Sequence, residues 1–123
     1  MRTFYQERIE QLPSSFVDTI NSIIGIVMAI DVIGKVIMFG SCSRGTQTDN
    51  SDIDLLLVLN SEGSDMPFGK LEEKVGISIY EQFDSNYKKP VDLLFADENV
   101  FANSTRLDSV YYYIKKDGVT LYE

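Results

Sequence analysis

The sequence predicts an α/β domain of the α+β kind, a small mixed β-sheet flanked by helices. Three observations carry that expectation: apolar residues recur at helical spacing in three stretches, short apolar runs bounded by Gly, Pro, Asn or Asp lie between them, and 123 residues suit a single core. A hydrophobic fraction of 44% with 24% charged residues is ordinary for a globular chain, so disorder is not expected.

The elements follow in order. Residues 1–12 mix charge with Phe4, Ile9 and Leu12, which predicts an N-terminal extension over 1–15 with at most a short helix, ahead of a domain spanning 16–123. Phe16, Ile20, Ile23, Ile24, Val27 and Ile30 share one helical face, with Pro13 and Ser14 or Ser15 as start signals. Gly34 breaks that pattern, and Val36-Ile37-Met38-Phe39 reads as a central strand covered on both faces and ending at Gly40. Ser41 is then placed to cap a short helix running through Arg44. A second strand begins at Asp52, continues through Leu59 and stops at Asn60-Ser61-Glu62-Gly63. Leu71, Val75, Ile79 and Phe83 repeat every four residues and predict a helix between Gly69 and Phe83 despite Gly76. Val91-Asp92-Leu93-Leu94-Phe95 is a third short strand. Leu107, Val110, Tyr111 and Ile114 predict a last helix over Leu107 to Lys116, closed by Lys115, Lys116 and Gly118, and Val119 to Tyr122 adds a final strand. Of Tyr111, Tyr112 and Tyr113, at least one is expected in the core. No internal repeat, low-complexity tract or interdomain linker interrupts the chain.

Composition narrows the chemistry. A formal charge of −8 and a pI near 4.4 disfavour a duplex or a long single strand as partner, because neutralising phosphates needs clustered Lys and Arg. A nucleotide stays compatible if a metal ion offsets the carboxylates. Cys42 is the sole cysteine, which excludes a disulfide framework and a Cys-based zinc site, and it reads as a small residue filling a turn rather than a low-pKa thiol. The absence of His removes Ser-His-Asp and Cys-His catalysis and the usual general base. The longest uncharged apolar stretch, Ile23 to Ile30, is too short to span a bilayer, and no signal-type segment opens the chain; a cytoplasmic protein away from membranes is expected.

The chemistry concentrates between Gly40 and Asp54. Side chains alternate along a strand, so Asp52 and Asp54 point to one face while Ile53 and Leu55 point to the other. Asp is depleted within strands, which argues against two of them here as mere turn residues. Gly40, lacking a Cβ, and Ser41 at a helix start would admit a phosphate, with Arg44 as a further contact. If the strand bearing Asp92 lies alongside, three carboxylates converge, and they need a divalent cation or a raised pKa to coexist. Mg²⁺ suits oxygen ligands shared with substrate phosphates. Two such ions about 3.5–4 Å apart stabilise both the attacking and leaving oxygens of a phosphoryl displacement, with no need of His.

Gly40-Ser41, Ser43-Arg44-Gly45, Ser51, Asp52-x-Asp54 and Asp92 together resemble the nucleotidyltransferase superfamily of the DNA polymerase β type. They are similar in particular to its minimal nucleotidyltransferase domains, including those that act as antitoxins beside HEPN toxins. The likeness runs from about Phe16 to Glu123 and includes the ending Gly118-Val119-Thr120-Leu121-Tyr122. The resemblance implies a nucleotidyltransferase fold in which Asp52 and Asp54 bind Mg²⁺, Asp92 completes the metal site and helps deprotonate an acceptor hydroxyl, and Gly40 and Ser41 hold the β- and γ-phosphates of a nucleoside triphosphate. It implies transfer of a nucleoside monophosphate, most often AMP from ATP, with release of pyrophosphate. The stretch after Asp92 is too short for the helical acceptor-binding domain of larger members, so the acceptor is expected on a partner protein, a HEPN-type toxin, in a homo- or hetero-oligomer. Two alternatives stand beside this: transfer to a small hydroxylated molecule such as an aminoglycoside, and an antitoxin that acts by binding alone.

Overall fold

The structure is a computed structural model and describes residues 2–83, 89–104 and 109–123. A 3₁₀ turn at Gln6–Arg8 precedes helix α1 (Ser14–Val27), strand β1 (Ile33–Phe39), the single turn α2 (Ser41–Arg44) and strand β2 (Ile53–Leu59). Helix α3 (Phe68–Gln82), strand β3 (Val91–Asp97), helices α4 (Glu98–Asn103) and α5 (Val110–Asp117) and strand β4 (Val119–Tyr122) complete the order. The sheet runs β3-β2-β1-β4, with β1 antiparallel to β2 and β4 and β2 parallel to β3. A parallel pair needs a crossover connection, and α3 lies within it. This is the mixed α/β architecture that the sequence predicts.

Strand alternation divides the apolar residues between two layers. Val36 and Met38 of β1 and Ile53, Leu55, Leu57 and Leu59 of β2 pack with Phe16, Ile20, Ile23, Ile24 and Val27 of α1 and with Leu71, Val75 and Ile79 of α3. On the opposite face Ile37, Leu56, Val58 and Ala96 meet, among the described residues, Phe101 of α4 and Ile114 of α5 as buried partners, with Phe39 and Tyr111 packed beside them. Asp54 and Asp92 share the parity of Leu56 and Ala96, so they belong to this second, smaller layer.

The structure departs from the sequence reading in a few places. Gly34 does not end a segment: it lies inside β1, where the pairing with β2 shifts register between Ile33 and Lys35, an irregularity that a residue without a side chain accommodates. Helix α1 stops at Val27, and Ile30 packs against the core from the following turn. The N-terminal segment has little helix but is bound into the domain. The backbone N–H of Thr3 donates to Glu123 O (2.6 Å), that of Tyr5 to Leu121 O (2.8 Å) and that of Glu123 to Thr3 O (3.1 Å), which covers the outer edge of β4. Ile9 and Leu12 are buried in the larger core, and Arg2 donates to Ile33 O at 2.7 Å and to Tyr122 Oη at 3.0 Å. Helix α4 has no counterpart in the sequence reading. It is six residues long and starts directly at the end of β3, where the Asp97 carboxylate accepts from the N–H groups of Asn99 (3.1 Å) and Val100 (3.3 Å). The last helix begins at Val110, with Ser109 Oγ accepting from Tyr111 N at 3.1 Å; Leu107 falls outside the described residues. No described helix is long and apolar enough to cross a membrane.

Candidate active site

At the end of β1 the chain turns through Gly40 at φ 76°, in the left-handed region where glycine is favoured. Gly40, not Ser41, occupies the cap position of α2; Ser41 is the first helical residue and its side chain caps nothing. The turn is held instead by Ser43 Oγ, which donates to Gly40 O at 2.8 Å. A Cβ at position 40 would collide with Oδ2 of Asp54 and lie 3.4 Å from its Cγ, so the turn backbone is laid directly against that carboxyl group.

Strand register builds the rest. Phe39 of β1 pairs with Asp54 of β2, and Asp54 pairs with Asp92 of β3 in the parallel ladder. Asp52 immediately precedes β2, and its carbonyl receives the Cys42 thiol at 3.7 Å, which ties α2 to the start of the strand. The Asp54 carboxyl is pushed above the usual carboxylate range first by burial, then by the negative charges of Asp92 and Asp52 and by a hydrogen bond with Asp92, while Arg44 opposes the shift. Asp52, Asp54, Asp92, Gly40 and Arg44 therefore share one neighbourhood.

Among the described residues no three acidic, His or Cys side chains are gathered closely enough to hold a metal ion as they stand. Asp54 and Asp92 are joined through a hydrogen bond, and Asp52 acts on Asp54 by charge. The donor set nonetheless fits a hard cation. All three side chains offer carboxylate oxygens, and a divalent ion would relieve the repulsion that now raises the Asp54 pKa.

Neighbouring residues take supporting parts. Cys42 is buried, and burial followed by the Asp54 charge pushes its thiol pKa up, which makes it a space-filling residue. Lys89 donates to Asp49 O and lies 4.4 Å from the Phe16 ring centroid, which pins the α2–β2 loop to the residues just before β3. Of the three tyrosines, Tyr111 is half-buried edge-on against Phe101 (5.5 Å, 78°), Tyr112 and Tyr113 are exposed, and Ile114 supplies the fully buried contact. A cleft of about 150 Å³ between α2 and α5 was not foreseen. Gly40 and Arg44 form one side of it and Tyr113 and Asp117 the other, and nothing local in the sequence announces that α5 docks beside Gly40.

The model of the nucleotidyltransferase domain family matches residues 20–119, a span that contains Gly40, Ser41, Asp52, Asp54 and Asp92. Among solved structures, a toxin–antitoxin structure with AMP-PNP is similar at a TM-score of 0.51 and 22% identity, covering 82% of this chain and 70% of that one. A protein from Sulfolobus solfataricus provisionally assigned as a nucleotidyltransferase aligns at 0.49 and 20%, covering 91% and 89%. A mutant of the toxin–antitoxin pair MntA-HpeT aligns at 0.48 and 18%, covering 82% and 70%. At 22% identity the likeness to the first of these is one of fold. None of the curated proteins matches the chain.

Proposed function

The chain belongs to the nucleotidyltransferase domain family, and from that premise we propose that it transfers AMP from ATP to a hydroxyl group of a partner protein, a HEPN-type toxin that it neutralises. The observation that carries the reading is the register that sets Asp92 beside Asp54 while Gly40 closes over the same carboxyl group.

In this proposal Gly40 and Ser41 hold the β- and γ-phosphates, because the turn backbone can approach a ligand where no Cβ intervenes. Arg44 adds a positive charge at the same place. Asp52, Asp54 and Asp92 would hold Mg²⁺, two ions in all, which supplies charge neutralisation for the phosphates and for the leaving group. The acceptor oxygen attacks the α-phosphorus, the bond to the bridging oxygen breaks, and pyrophosphate departs. Asp92 takes the proton of the acceptor hydroxyl. The assignment of a toxin as acceptor draws support from the toxin–antitoxin structure that contains AMP-PNP.

The test is intact mass spectrometry of the protein encoded beside this one after incubation with this chain, ATP and Mg²⁺, with the Asp52→Asn, Asp54→Asn double variant as control. A gain of one or more AMP units, absent in the control, is expected. A stable complex without a mass gain would instead favour neutralisation by binding. Pyrophosphate release on aminoglycoside-type acceptors would favour a small-molecule substrate.

A further inference from the structure

The transfer chemistry above uses one side of Gly40. Gly40 also borders the cleft between α2 and α5, which Phe39 helps to line and whose volume is about 150 Å³. Three features of its wall lack a structural explanation. Val110 and Tyr113 are 51% and 56% exposed, and the Tyr113 ring is propped edge-on by Tyr112 at 5.2 Å and 82°. Asp117 is the last residue of α5, where the negative end of the helix dipole disfavours another negative charge. Neither the Asp117 carboxylate nor the Arg44 guanidinium has a hydrogen-bond or ion-pair partner among the described residues.

We propose that this cleft is the nucleobase subsite of the donor nucleotide, with Tyr113 as the stacking face and Asp117 as the acceptor for an exocyclic amino group. The inference rests on the transferase reading, since it takes the phosphates to lie at Gly40 and Ser41. From there the cleft is the adjoining recess, because Gly40 borders both it and the Asp54 carboxyl. Arg44 stands at the junction, where a nucleotide carries its charge. A flat base gains contact on Tyr113 and Val110 whatever its identity. Asp117 supplies the discrimination: a carboxylate accepts and cannot donate, so it favours a base that presents an amino group and opposes one that presents a carbonyl oxygen there. ATP is thereby preferred over ITP, in which oxygen replaces that amino group.

Calorimetric titration with Mg²⁺ present tests the subsite, with ATP, ITP and inorganic tripolyphosphate as probes of the wild type, Tyr113→Ala, Tyr113→Phe and Asp117→Asn. Tyr113→Ala is expected to weaken ATP about tenfold or more and leave tripolyphosphate unchanged, whereas Tyr113→Phe keeps ATP affinity. Asp117→Asn, able to donate as well as accept, is expected to erase the preference for ATP over ITP. If the wild type binds tripolyphosphate as tightly as ATP, or if Tyr113→Ala binds ATP unchanged while Asp117→Asn still prefers it over ITP, the subsite is overturned and the transferase reading stands. Failure of the wild type to bind either ATP or tripolyphosphate overturns both.

Discussion

The two faces of the sheet are built from the same strands and serve opposite ends. The face under α1 and α3 is a closed apolar layer in which Leu55, Leu57 and Leu59 are fully buried. The face under α4 and α5 is roofed over part of its extent, Leu94 remains 36% exposed, and the strand mouths on that side carry Asp54 and Asp92. Period-2 alternation lets one residue stabilise the fold and the next serve the site, so stability and chemistry are separated along the thickness of a single strand.

That separation can be probed most strongly at the site. Asp54→Asn is expected to lower nucleotidyl transfer by a factor on the order of 10²–10³, the scale for removing one electrostatic stabiliser, with folding retained, as read by steady-state pyrophosphate release and far-UV circular dichroism. Leu57→Ala on the closed face should reverse the pattern, costing roughly 2–5 kcal/mol in denaturant unfolding. The matched change on the open face, Leu94→Ala, should cost less than about 1 kcal/mol, since that side chain is already partly solvated. A comparable loss at both leucines would erase the distinction between the faces. Asp97→Ala, which removes the side-chain cap of α4, should cost about 1 kcal/mol by the same measurement.

The smallest effect is one of pH. The folded-state pKa of Asp54 lies above its unfolded value, so the protonated carboxyl contributes stability in full below the unfolded pKa, and this contribution is lost as pH rises through the folded one. In metal-free buffer the melting temperature should therefore carry a decline that starts near the ordinary carboxylate pKa of about 3.9 and is missing in Asp54→Asn. Asp97 has the opposite sign. Its pKa is lowered by the Ser61 hydroxyl and by the Val100 and Asn99 amides, so its contribution is lost only as pH falls through a lower window. Mg²⁺ should raise the melting temperature of the wild type at neutral pH and leave the Asp52→Asn, Asp54→Asn variant unmoved.

Much of this was legible in the sequence because periodicity is local. The spacing of Phe16, Ile20, Ile23 and Ile24, and the apolar runs at Val36 and Leu55, each report burial within a few residues of themselves, whereas the run at Leu93 forms an edge strand that is only half-buried. The parity expected of Asp52 and Asp54 rests on the same local alternation, with Asp52 standing just ahead of β2. The nearness of Asp92 was conditional, because it depends on a parallel pairing between strands that stand on either side of α3. Helix α4 escaped because six residues hold too few turns for a pattern and its cap doubles as the end of β3. Gly34 misled because a bulge and a break look alike in one dimension. The cleft at Tyr113 and Asp117 is a product of docking, with its two walls contributed by segments far apart in the chain.

The hydrogen bonds between residues 3–5 and residues 121–123 carry a consequence for how the chain is threaded. They make this edge of the sheet a seam between backbone segments far apart in the chain, contacts of the kind that carry a large loop-closure entropy. The same seam holds residues 3–5 beside residues 121–123. A nick in the exposed turn at Glu62–Gly63 would therefore leave two pieces held to each other at this edge of the sheet as well as across the β1–β4 and β2–β3 pairings.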